Sequence, residues 1–527
     1  MITGKNYIGK ELSAKGSDTY STFDPKLNLK TDWTFHEATK EEIDAAADKA
    51  QEAFQRYKSF SGEKKAEFLV AIAEEIEALG DPLIDTYIRE SGLPEGRAKG
   101  ERGRTMGQLR AFADLLREGS WVEATIDTAQ PEREPMPKVD LRKMLVPIGP
   151  IAVFGASNFP FAFSTAGGDT ASALAAGCPV IVKSHPLHSG TGELISSAII
   201  KAAERTGMPD GVFSNLNSSG IEVGQRLVMH PKVKGVGFTG SIKGGTALYQ
   251  LANERDEPIP VFAEMGSINP VVALPSALMD KGDDWAKQYA GSIMLGGGQF
   301  CTNPGLILGM ESHSLDRFVD TLGKEIEQLE PTCMLHPDIH RNYEKGKQEL
   351  SGEQGTHVVA DYESEVAPNV AQQKVLAVKG SDFLQNTKLH QEVFGPFSIV
   401  VRCKDAGELE KVLNKLEGQL TGTILGSADE VVKHDTVVDA LRSKVGRIIF
   451  NGVPTGVEVC PAMQHGGPFP ASTDSRFTSV GTSAARRWVR PVAFQNWPAA
   501  SLPDALKDAN PLGISRIVDG QHTDAKI

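Results

Sequence analysis

The sequence predicts an α/β protein in which helices cover both faces of a mostly parallel β-sheet. Between residues 147 and 275, short apolar runs alternate with helical segments, as in repeated strand–helix–strand units. A second α/β pattern follows from about 276 to 485. With 40% hydrophobic and 23% charged residues among 527, the composition is that of a folded globular protein of two to four domains.

The N-terminal part is predicted to be helical. Apolar and charged residues alternate at helical spacing over 38–56 and 62–79, and a third helical stretch runs from about 94 to 118. Prolines then interrupt residues 126–146, which indicates an extended arm or hairpin rather than core.

The first α/β unit has five predicted strands, at 151–154, 179–183, 212–216, 233–238 and 261–264. Predicted helices lie between them at about 164–177, 189–206, 220–229 and 244–254. Parallel α/β sheets bind ligands beyond the carboxyl ends of their strands. The turns after these strands are therefore the candidate binding segments.

The second unit is predicted from helices near 283–295 and 314–329 and strands at 305–309, 397–403 and 447–450. Residues 351–380 are polar and irregular, and we expect them on the surface. An isolated strand at 489–497 is a candidate partner for the arm at 126–146. The tail from 499 is rich in Asp, Pro and Gly, and we expect it to be loosely ordered.

Composition also excludes several classes of function. A net charge of −13, from 55 basic and 68 acidic residues, disfavours a nucleic-acid-binding surface. No apolar segment is long enough to span a membrane, and the N-terminus lacks the apolar stretch of a secretory signal. Five scattered cysteines without a CxxC pair indicate neither disulfides nor a zinc site. We therefore predict no metal and a reduced, cytoplasmic setting.

Four turns concentrate reactive residue types. Cys301 follows Gly296–Gly298, whose glycines we expect to let the backbone approach a ligand closely. Asn158 follows a predicted strand, and Lys183 and Glu264 are the last residues of two others. Taken singly, each has a simpler interpretation as a buried thiol, a turn residue or a solvated charge. Together they bring a thiol, an amide, an ammonium and a carboxylate to one edge of a sheet.

Five motifs in this order resemble those of the NAD(P)-dependent aldehyde dehydrogenase superfamily, over roughly residues 20–500. They are Asn158-Phe159-Pro160, Phe238-Thr239-Gly240-Ser241, Glu264-Met265-Gly266-Ser267, Gly298-Gln299-Phe300-Cys301 and Glu392-Val393-Phe394-Gly395-Pro396. The resemblance implies two Rossmann-like α/β domains plus a small β oligomerisation arm. It places a cofactor-binding domain at 1–125 and 147–265, a catalytic domain at 266–488, the arm at 126–146 and 489–500, and a C-terminal tail at 501–527.

The resemblance also implies the chemistry. Cys301 is expected to add to the aldehyde carbon and form a thiohemiacetal, which becomes a thioester after hydride transfer. Asn158 is expected to stabilise the oxyanion, and Glu264 to activate water for thioester hydrolysis. The product is a carboxylic acid.

The cofactor residues implied by the resemblance come from the same turns: Lys183, Ser184, His185, Pro186, Phe238, Thr239, Gly240, Ser241, Gly245, Met265, Gly266, Glu392 and Phe394. Members that prefer NAD usually carry a glutamate three residues after the lysine, where this chain has Pro186. Lys183 and His185 could instead attract a 2′-phosphate. We therefore expect NADP to be preferred, with NAD as the alternative cofactor.

Three further segments, at residues 184–189, 463–470 and 490–496, resemble one subgroup of this family. That subgroup contains α-ketoglutarate semialdehyde (2,5-dioxopentanoate) dehydrogenases and NADP-dependent fatty-aldehyde dehydrogenases. A dicarboxylate-like substrate needs a cation, and Arg102, Arg104 and Arg110 lie on the helix that lines the substrate channel in the family. A solvated basic helix face is an equally good interpretation of these arginines. An apolar channel with Phe159, Phe161, Phe163 and Phe300 would instead admit long-chain aldehydes. His465 is expected at the pocket border, either tuning Cys301 or forming the wall.

Three alternative classes remain for comparison: a CoA-acylating dehydrogenase, a non-catalytic binding protein and a plain thiol hydrolase. The first normally lacks the water-activating glutamate, the second has no need for this residue set, and the third needs no hydride acceptor.

The alternating patterns at 126–146 and 489–497 further predict a homo-oligomer, a dimer or a tetramer, because exposed strand edges pair with other chains.

Overall fold

The computed structural model describes residues 2–527, and its N-terminal part is mainly helical. The short strands are β1 (Asn6–Ile8), β2 (Glu11–Ser13), β3 (Thr19–Tyr20), β4 (Phe23–Asp24), β5 (Leu29–Lys30) and β6 (Phe35–His36). The helices are α1 (Lys40–Tyr57), α2 (Gly62–Ala78), α3 (Gly80–Ser91) and α4 (Glu95–Glu118). The three predicted helices are confirmed. The helix α3 was not predicted, and it tolerates Pro82 because N–H groups of a first helical turn have no partner in the helix.

The first sheet contains all five predicted strands. After β7 (Thr125–Asp127) and β8 (Leu141–Pro147) come β9 (Ile151–Phe154), β10 (Val180–Lys183), β11 (Phe213–Leu216), β12 (Gly235–Thr239) and β13 (Val261–Glu264). The connecting helices are α5 (Gly168–Ala176), α6 (Ser189–Arg205), α7 (Glu222–Met229) and α8 (Ile242–Asn253). The order is β13-β12-β9-β10-β11-β1-β2, with β9–β13 parallel and the β1–β2 hairpin antiparallel. The carboxyl ends of β9, β12 and β13 therefore lie side by side.

The second sheet is also mostly parallel, in the order β17-β19-β20-β15-β14-β21-β22. Its strands are β14 (Val271–Ala273), β15 (Leu306–Met310), β17 (His357–Asp361), β19 (Lys374–Lys379), β20 (Phe397–Cys403), β21 (Gln419–Leu425) and β22 (Val445–Phe450), and β16 (Thr332–Cys333) pairs separately with β18 (Val370–Ala371). Its helices are α9 (Pro275–Met294), α10 (His313–Glu327), α11 (Pro337–Ser351), α12 (Gly380–Gln385), α13 (Ala406–Lys415), α14 (Ala428–Lys433) and α15 (Asp435–Arg442).

The expectation that residues 351–380 are irregular and exposed is wrong. They contain β17, β18 and β19, and β19 lies inside the sheet between β17 and β20. The side chains of Val375–Val378 are buried. The sequence pattern did not indicate this strand, because its buried run is only four residues long and is flanked by polar residues.

A third sheet joins the arm to the C-terminus. It has the order β23-β8-β7-β24-β25, with β23 (Val489–Gln495), β24 (Arg516–Val518) and β25 (Gln521–Thr523). The predicted pairing of the late strand with the arm is confirmed, since β23 runs antiparallel to β8 along seven residue pairs.

The expectation of a loosely ordered tail is wrong. Leu502, Leu506 and Val518 are buried with Ile126 in a small core under the arm. Arg142 donates to the carbonyl of Leu506 at 2.6 Å and so ties the tail to β8. The domain boundaries remain a prediction.

The last turn before β23 packs against α5, one of the helices that cover the first sheet. Trp488, which ends a 3₁₀ helix at Thr482–Trp488, is fully buried and donates its indole N–H to Ser172 at 2.8 Å.

None of the helices in residues 2–527 combines the length and the apolar character that crossing a bilayer requires.

Candidate active site

The loop that carries Cys301 follows α9 and a 3₁₀ turn at Leu295–Gly298. The three glycines of that turn have φ values of 59°, 68° and 66°, a region that glycine adopts without steric cost. A Cβ on Gly298 would lie 2.2 Å from the backbone of Gly395. The expectation that these glycines let the backbone approach a ligand is therefore wrong at Gly298. There the loop packs directly against the predicted cofactor turn.

Cys301 lies beside an imidazole and a carboxylate. Its Sγ is 3.6 Å from Nε2 of His465, and the same nitrogen is 2.9 Å from Oε1 of Glu264. Ser479 donates its hydroxyl to the second carboxylate oxygen at 2.6 Å. Glu264 ends β13, whereas His465 and Ser479 come from the segment between β22 and β23, so distant parts of the chain converge on the thiol.

These neighbours hold the thiol protonated and the carboxylate charged. Burial raises the pKa of Cys301 well above its ordinary value, and the charge of Glu264 raises it further. Burial would also raise the pKa of Glu264. The charge and hydrogen bond of His465, with the hydroxyl of Ser479, nevertheless lower the pKa of Glu264 below its ordinary value. A neutral nucleophile thus stands next to an ionised base.

Two asparagines fix the backbone around the nucleophile. Asn158 is buried and donates from Nδ2 to the carbonyl of Gln299 at 3.0 Å. Asn269 was missed by the sequence analysis. Its Nδ2 donates to the carbonyls of Cys301 at 2.8 Å and Asn303 at 2.9 Å.

Of the three arginines expected at the substrate entry, only Arg104 faces the reacting groups. Both terminal nitrogens of its guanidinium are buried and have no hydrogen-bond partner among residues 2–527. Burial lowers the pKa of Arg104, and the charges of Glu101, then of Cys301 and Glu264, oppose that effect. Arg102 instead donates to a backbone carbonyl, and Arg110 forms an exposed ion pair with Glu77.

The predicted aromatic residues surround cations. The guanidinium of Arg97 lies 4.3 Å from the ring centre of Phe159 and 4.6 Å from that of Phe300. Phe163 lies 5.2 Å from the guanidinium of Arg104. Arg97 was missed, although it precedes Arg104 by seven residues on α4 and so lies on the same helical face. The region in which the substrate entry was expected is therefore aromatic and cationic rather than simply apolar.

A cavity of about 310 Å³ opens beside the nucleophile. Its lining includes ten predicted site residues: Asn158, Thr239, Gly240, Ser241, Glu264, Met265, Gly266, Cys301, Glu392 and Phe394. Ser241 lies on this wall and caps α8 by accepting from the Gly244 N–H at 3.1 Å. A helix N-terminus of this kind favours a phosphate group.

Two residues predicted to contact the cofactor support the wall instead. The ring of Phe238 fills the space where a Cβ of Gly240 would lie, 2.7 Å away. Gly245 packs against Met265, whose sulfur would be 2.5 Å from a Cβ at that position. Neither Phe238 nor Gly245 lines the cavity. Gly245 is therefore required by its packing against Met265 rather than by a phosphate.

The predicted adenosine-side turn begins at the carboxyl end of β10. Lys183 donates from Nζ to the carbonyl of Ser218 at 2.9 Å. Burial lowers the pKa of Lys183 to about 8. Ser184 is buried, and its hydroxyl has no partner among residues 2–527.

His185 cannot contribute a positive charge to this turn near neutral pH. Its ring stacks on His188 with 5.1 Å between centroids, and its Nδ1 accepts the N–H of Leu187 at 3.2 Å. Burial, followed by the neighbouring His188, lowers the pKa of His185 well below its ordinary value. In the ligand-free protein the His185 ring is thus neutral near pH 7, which argues against attraction of a phosphate by its charge. Pro186 follows and brings no carboxylate.

The sequence profile described as "Aldehyde dehydrogenase family" matches residues 12–468. The chain belongs to the aldehyde dehydrogenase family. Among relatives of known activity, alpha-ketoglutaric semialdehyde dehydrogenase 2 of Azospirillum brasilense is 47% identical over 522 residues, 99% of each chain. Alpha-ketoglutaric semialdehyde dehydrogenase of Acinetobacter baylyi is 46% identical over 518 residues, 98% of each chain.

Solved structures of aldehyde dehydrogenases share the fold. A 1-pyrroline-5-carboxylate dehydrogenase from Thermus with bound NAD superposes with a TM-score of 0.79 at 22% identity, covering 93% of this chain and 92% of its own. Apo betaine aldehyde dehydrogenase of Staphylococcus aureus gives 0.80 at 19% identity, with 94% and 95% covered. The predicted Rossmann-like α/β architecture is confirmed. As a member of this family, the protein is an oxidoreductase that oxidises an aldehyde with NAD(P).

Proposed function

We propose that this aldehyde dehydrogenase oxidises α-ketoglutarate semialdehyde to 2-oxoglutarate, using NADP in preference to NAD. The observation that carries the proposal is the buried, unpaired guanidinium of Arg104 beside Cys301. A buried charge without a partner is costly, and a substrate carboxylate would supply that partner. The two bacterial relatives named as alpha-ketoglutaric semialdehyde dehydrogenases support the same substrate.

The nucleophile in this proposal is Cys301. Its thiol loses a proton to the adjoining Glu264–His465 pair, and the sulfur adds to the aldehyde carbon to give a thiohemiacetal. The 3.6 Å and 2.9 Å contacts of His465 Nε2 support this route for the proton. NADP, when bound, accepts the hydride, which leaves a thioester on Cys301.

Asn158 is the oxyanion donor in this proposal. One hydrogen of its amide bonds to Gln299, which fixes the orientation of the group. The second hydrogen remains for the oxygen of the thiohemiacetal. A donor that is already oriented stabilises the developing charge without reorganisation.

Glu264 is the water-activating base in this proposal. Its lowered pKa keeps it ionised, and the bond from Ser479 holds its orientation. Once the thioester has formed and the proton taken from the thiol has passed to solvent, the carboxylate takes a proton from water as the water attacks the acyl carbon. The C–S bond then breaks, which releases the carboxylic acid and returns the Cys301 thiolate. This role distinguishes the protein from a CoA-acylating dehydrogenase.

The cationic entry favours the semialdehyde over a fatty aldehyde. Arg97 is already enclosed by Phe159 and Phe300 and bonds to Glu101 at 3.3 Å, whereas Arg104 has no carboxylate within hydrogen-bond distance. A long-chain aldehyde would leave the Arg104 guanidinium unpaired. A keto acid would pair with it and so be oriented toward Cys301.

The substrate proposal is tested with Arg104→Met. We expect kcat/KM for α-ketoglutarate semialdehyde to fall by about ten- to a hundredfold, the equivalent of one lost charge-assisted hydrogen bond. The rate with pentanal, an uncharged aldehyde of equal length, should be unchanged or higher. Arg102→Met, on the same helix, is the matched control and should leave both rates unaltered. Equal losses for both aldehydes would contradict a carboxylate-binding role.

NADP preference rests on the turn after β10. Lys183 supplies a cation, and Pro186 stands where a carboxylate would repel a 2′-phosphate. We expect kcat/KM to be at least severalfold higher with NADP than with NAD. Pro186→Glu should lower that ratio, while Pro186→Gln, of nearly the same size but uncharged, should change it less. A wild-type preference for NAD would contradict the proposal.

We further propose that the protein acts as a cytoplasmic homo-oligomer. All five cysteines are unpaired, in keeping with a reducing compartment. The strand β23 is at the edge of the third sheet. An open strand edge of this kind is a site for pairing with a second copy.

A further inference from the structure

The side chains of Glu264, Cys301 and His465 form a compact set of metal-ligand atoms. One carboxylate oxygen, Sγ and one imidazole nitrogen all lie within 4.8 Å of one another. A thiolate, an imidazole and a carboxylate are the three ligand types that zinc takes in proteins. Local sequence spacing gave no sign of the set, because its members are 37 and 164 positions apart along the chain.

Two of the three separations can be compared directly with those around a tetrahedral zinc ion, and the third is no more than 4.8 Å. With Zn–S near 2.3 Å and Zn–N near 2.05 Å, sulfur and nitrogen are about 3.6 Å apart at the tetrahedral angle. The Cys301 Sγ to His465 Nε2 distance is 3.6 Å. Nitrogen and oxygen ligands are about 3.4 Å apart in such a site. The observed 2.9 Å between His465 Nε2 and Glu264 Oε1 requires an opening of only about half an ångström.

An ion could enter and retain an open coordination position. Cys301 and Glu264 line the 310 Å³ cavity, which leaves the fourth position for water. His465 is fully buried behind them and closes the other side. Hard cations such as Mg²⁺ need about six oxygen ligands, whereas thiolate and imidazole select Zn²⁺ and similar soft ions.

We propose that Cys301, His465 and Glu264 form an inhibitory binding site for Zn²⁺. On binding, the Cys301 thiol releases its proton to solvent, and its sulfur lone pair forms the bond to the metal. The proton that His465 Nε2 shares with Glu264 is released to solvent as well, and the imidazole and the carboxylate then coordinate through Nε2 and Oε1. The sulfur is then unavailable to the aldehyde. The inhibition rests on the proposed role of Cys301, whereas binding of the ion does not.

Binding is tested without turnover, by adding Co²⁺ to the metal-free protein as a spectroscopic substitute for Zn²⁺. Wild type should show a thiolate-to-cobalt charge-transfer band and intense tetrahedral d–d bands, both abolished by equimolar Zn²⁺. Cys301→Ser should lose the charge-transfer band, and His465→Asn should weaken binding at least about tenfold. Cys460→Ala removes a half-buried thiol outside the set and is the matched control. Equal spectra in wild type and Cys301→Ser would overturn the proposal.

Inhibition is measured separately in wild type and Cys460→Ala. Micromolar Zn²⁺ should abolish aldehyde oxidation in both, and a chelator should restore it fully. An active enzyme that resists Zn²⁺ and shows no cobalt bands overturns the metal site and leaves the proposed function intact. Cobalt bands together with full activity at saturating metal would instead remove Cys301 from the proposed chemistry, and the inhibitory role with it.

Discussion

Glu264 is held by hydrogen bonds that a glutamine preserves only in part, while losing the charge. We expect Glu264→Gln still to form the thioester, because His465 remains beside the thiol to take its proton. The variant should hydrolyse the thioester slowly, because the amide cannot take a proton from water. Rapid mixing should show a burst of reduced cofactor equal to the enzyme concentration, followed by very slow turnover. Ser479→Ala, which removes one bond to the carboxylate but not its charge, should show a much smaller defect. A variant without a burst that turns over at the wild-type rate would place water activation elsewhere.

Lys183 gives cofactor preference a dependence on pH. Burial lowers its pKa to about 8 in the free protein. A bound 2′-phosphate favours the ammonium form, so the pKa of Lys183 rises in the NADP complex. NADP affinity should therefore be greatest below pH 8 and fall by up to about tenfold per pH unit above it, until the pKa of the complex is reached.

The dissociation constants of NADP and NAD, measured by fluorescence titration from pH 6.5 to 9.5, test this expectation. NAD, which lacks the 2′-phosphate, should show a much smaller change. Lys183→Arg, whose charge does not titrate in this range, should remove the pH dependence. A parallel decline for both cofactors would assign the titration to another group, such as Glu392.

For single residues, the sequence identified functional side chains in recognisable motifs. It did not identify those that hydrogen-bond to segments distant in the chain. Cys301, Glu264 and Asn158 each follow a recognisable local pattern. Ser479 and Asn269 act through hydrogen bonds to partners that come from other segments. A serine or asparagine in a loop has no periodic or motif signal, so only the folded geometry reveals these two.

Among the structural elements, the turn Leu295–Gly298 is the one most dependent on its residue type. Gly298→Ala places a Cβ against the Gly395 backbone and forces a positive φ on alanine. We expect a loss of at least about 1 kcal/mol in stability, and of activity, because Cys301 moves with the turn. Gly291→Ala is the matched control: a Cβ at that position would have no neighbour within 4 Å outside its own helix, and alanine favours the helix. Thermal melts and kcat should separate the two variants.

Element prediction succeeded where apolar runs were bounded by turn residues. The strands at 151–154, 261–264 and 397–403 were predicted to the residue. It failed at β19, where polar flanks surround four buried residues, and at α3, for which no element was predicted. In both places tertiary burial decided the structure against the local signal.

For the whole molecule, we expect a two-fold dimer. Beside the open edge of β23, the arm exposes apolar side chains such as Leu141, at 39%. Static light scattering should give twice the 56.6 kDa of the chain at micromolar concentration. Leu141→Asp should weaken the dimer, whereas Leu27→Asp, at an exposed leucine between β4 and β5, should not. A monodisperse monomer would contradict this expectation.

The direct contact between Gly298 and Gly395 also constrains how such a sequence can diverge. Neither glycine carries a side chain that could touch a substrate, yet each limits the other. A Cβ at Gly395 would lie 2.2 Å from the Tyr343 ring. The backbone of Gly395 therefore cannot move toward Tyr343 to make room for a side chain at position 298. Mutational drift at one position is therefore blocked until its partners have changed. Lineages with new aldehyde specificities are expected to vary the arginine- and phenylalanine-lined entry first, while this glycine pair is inherited together.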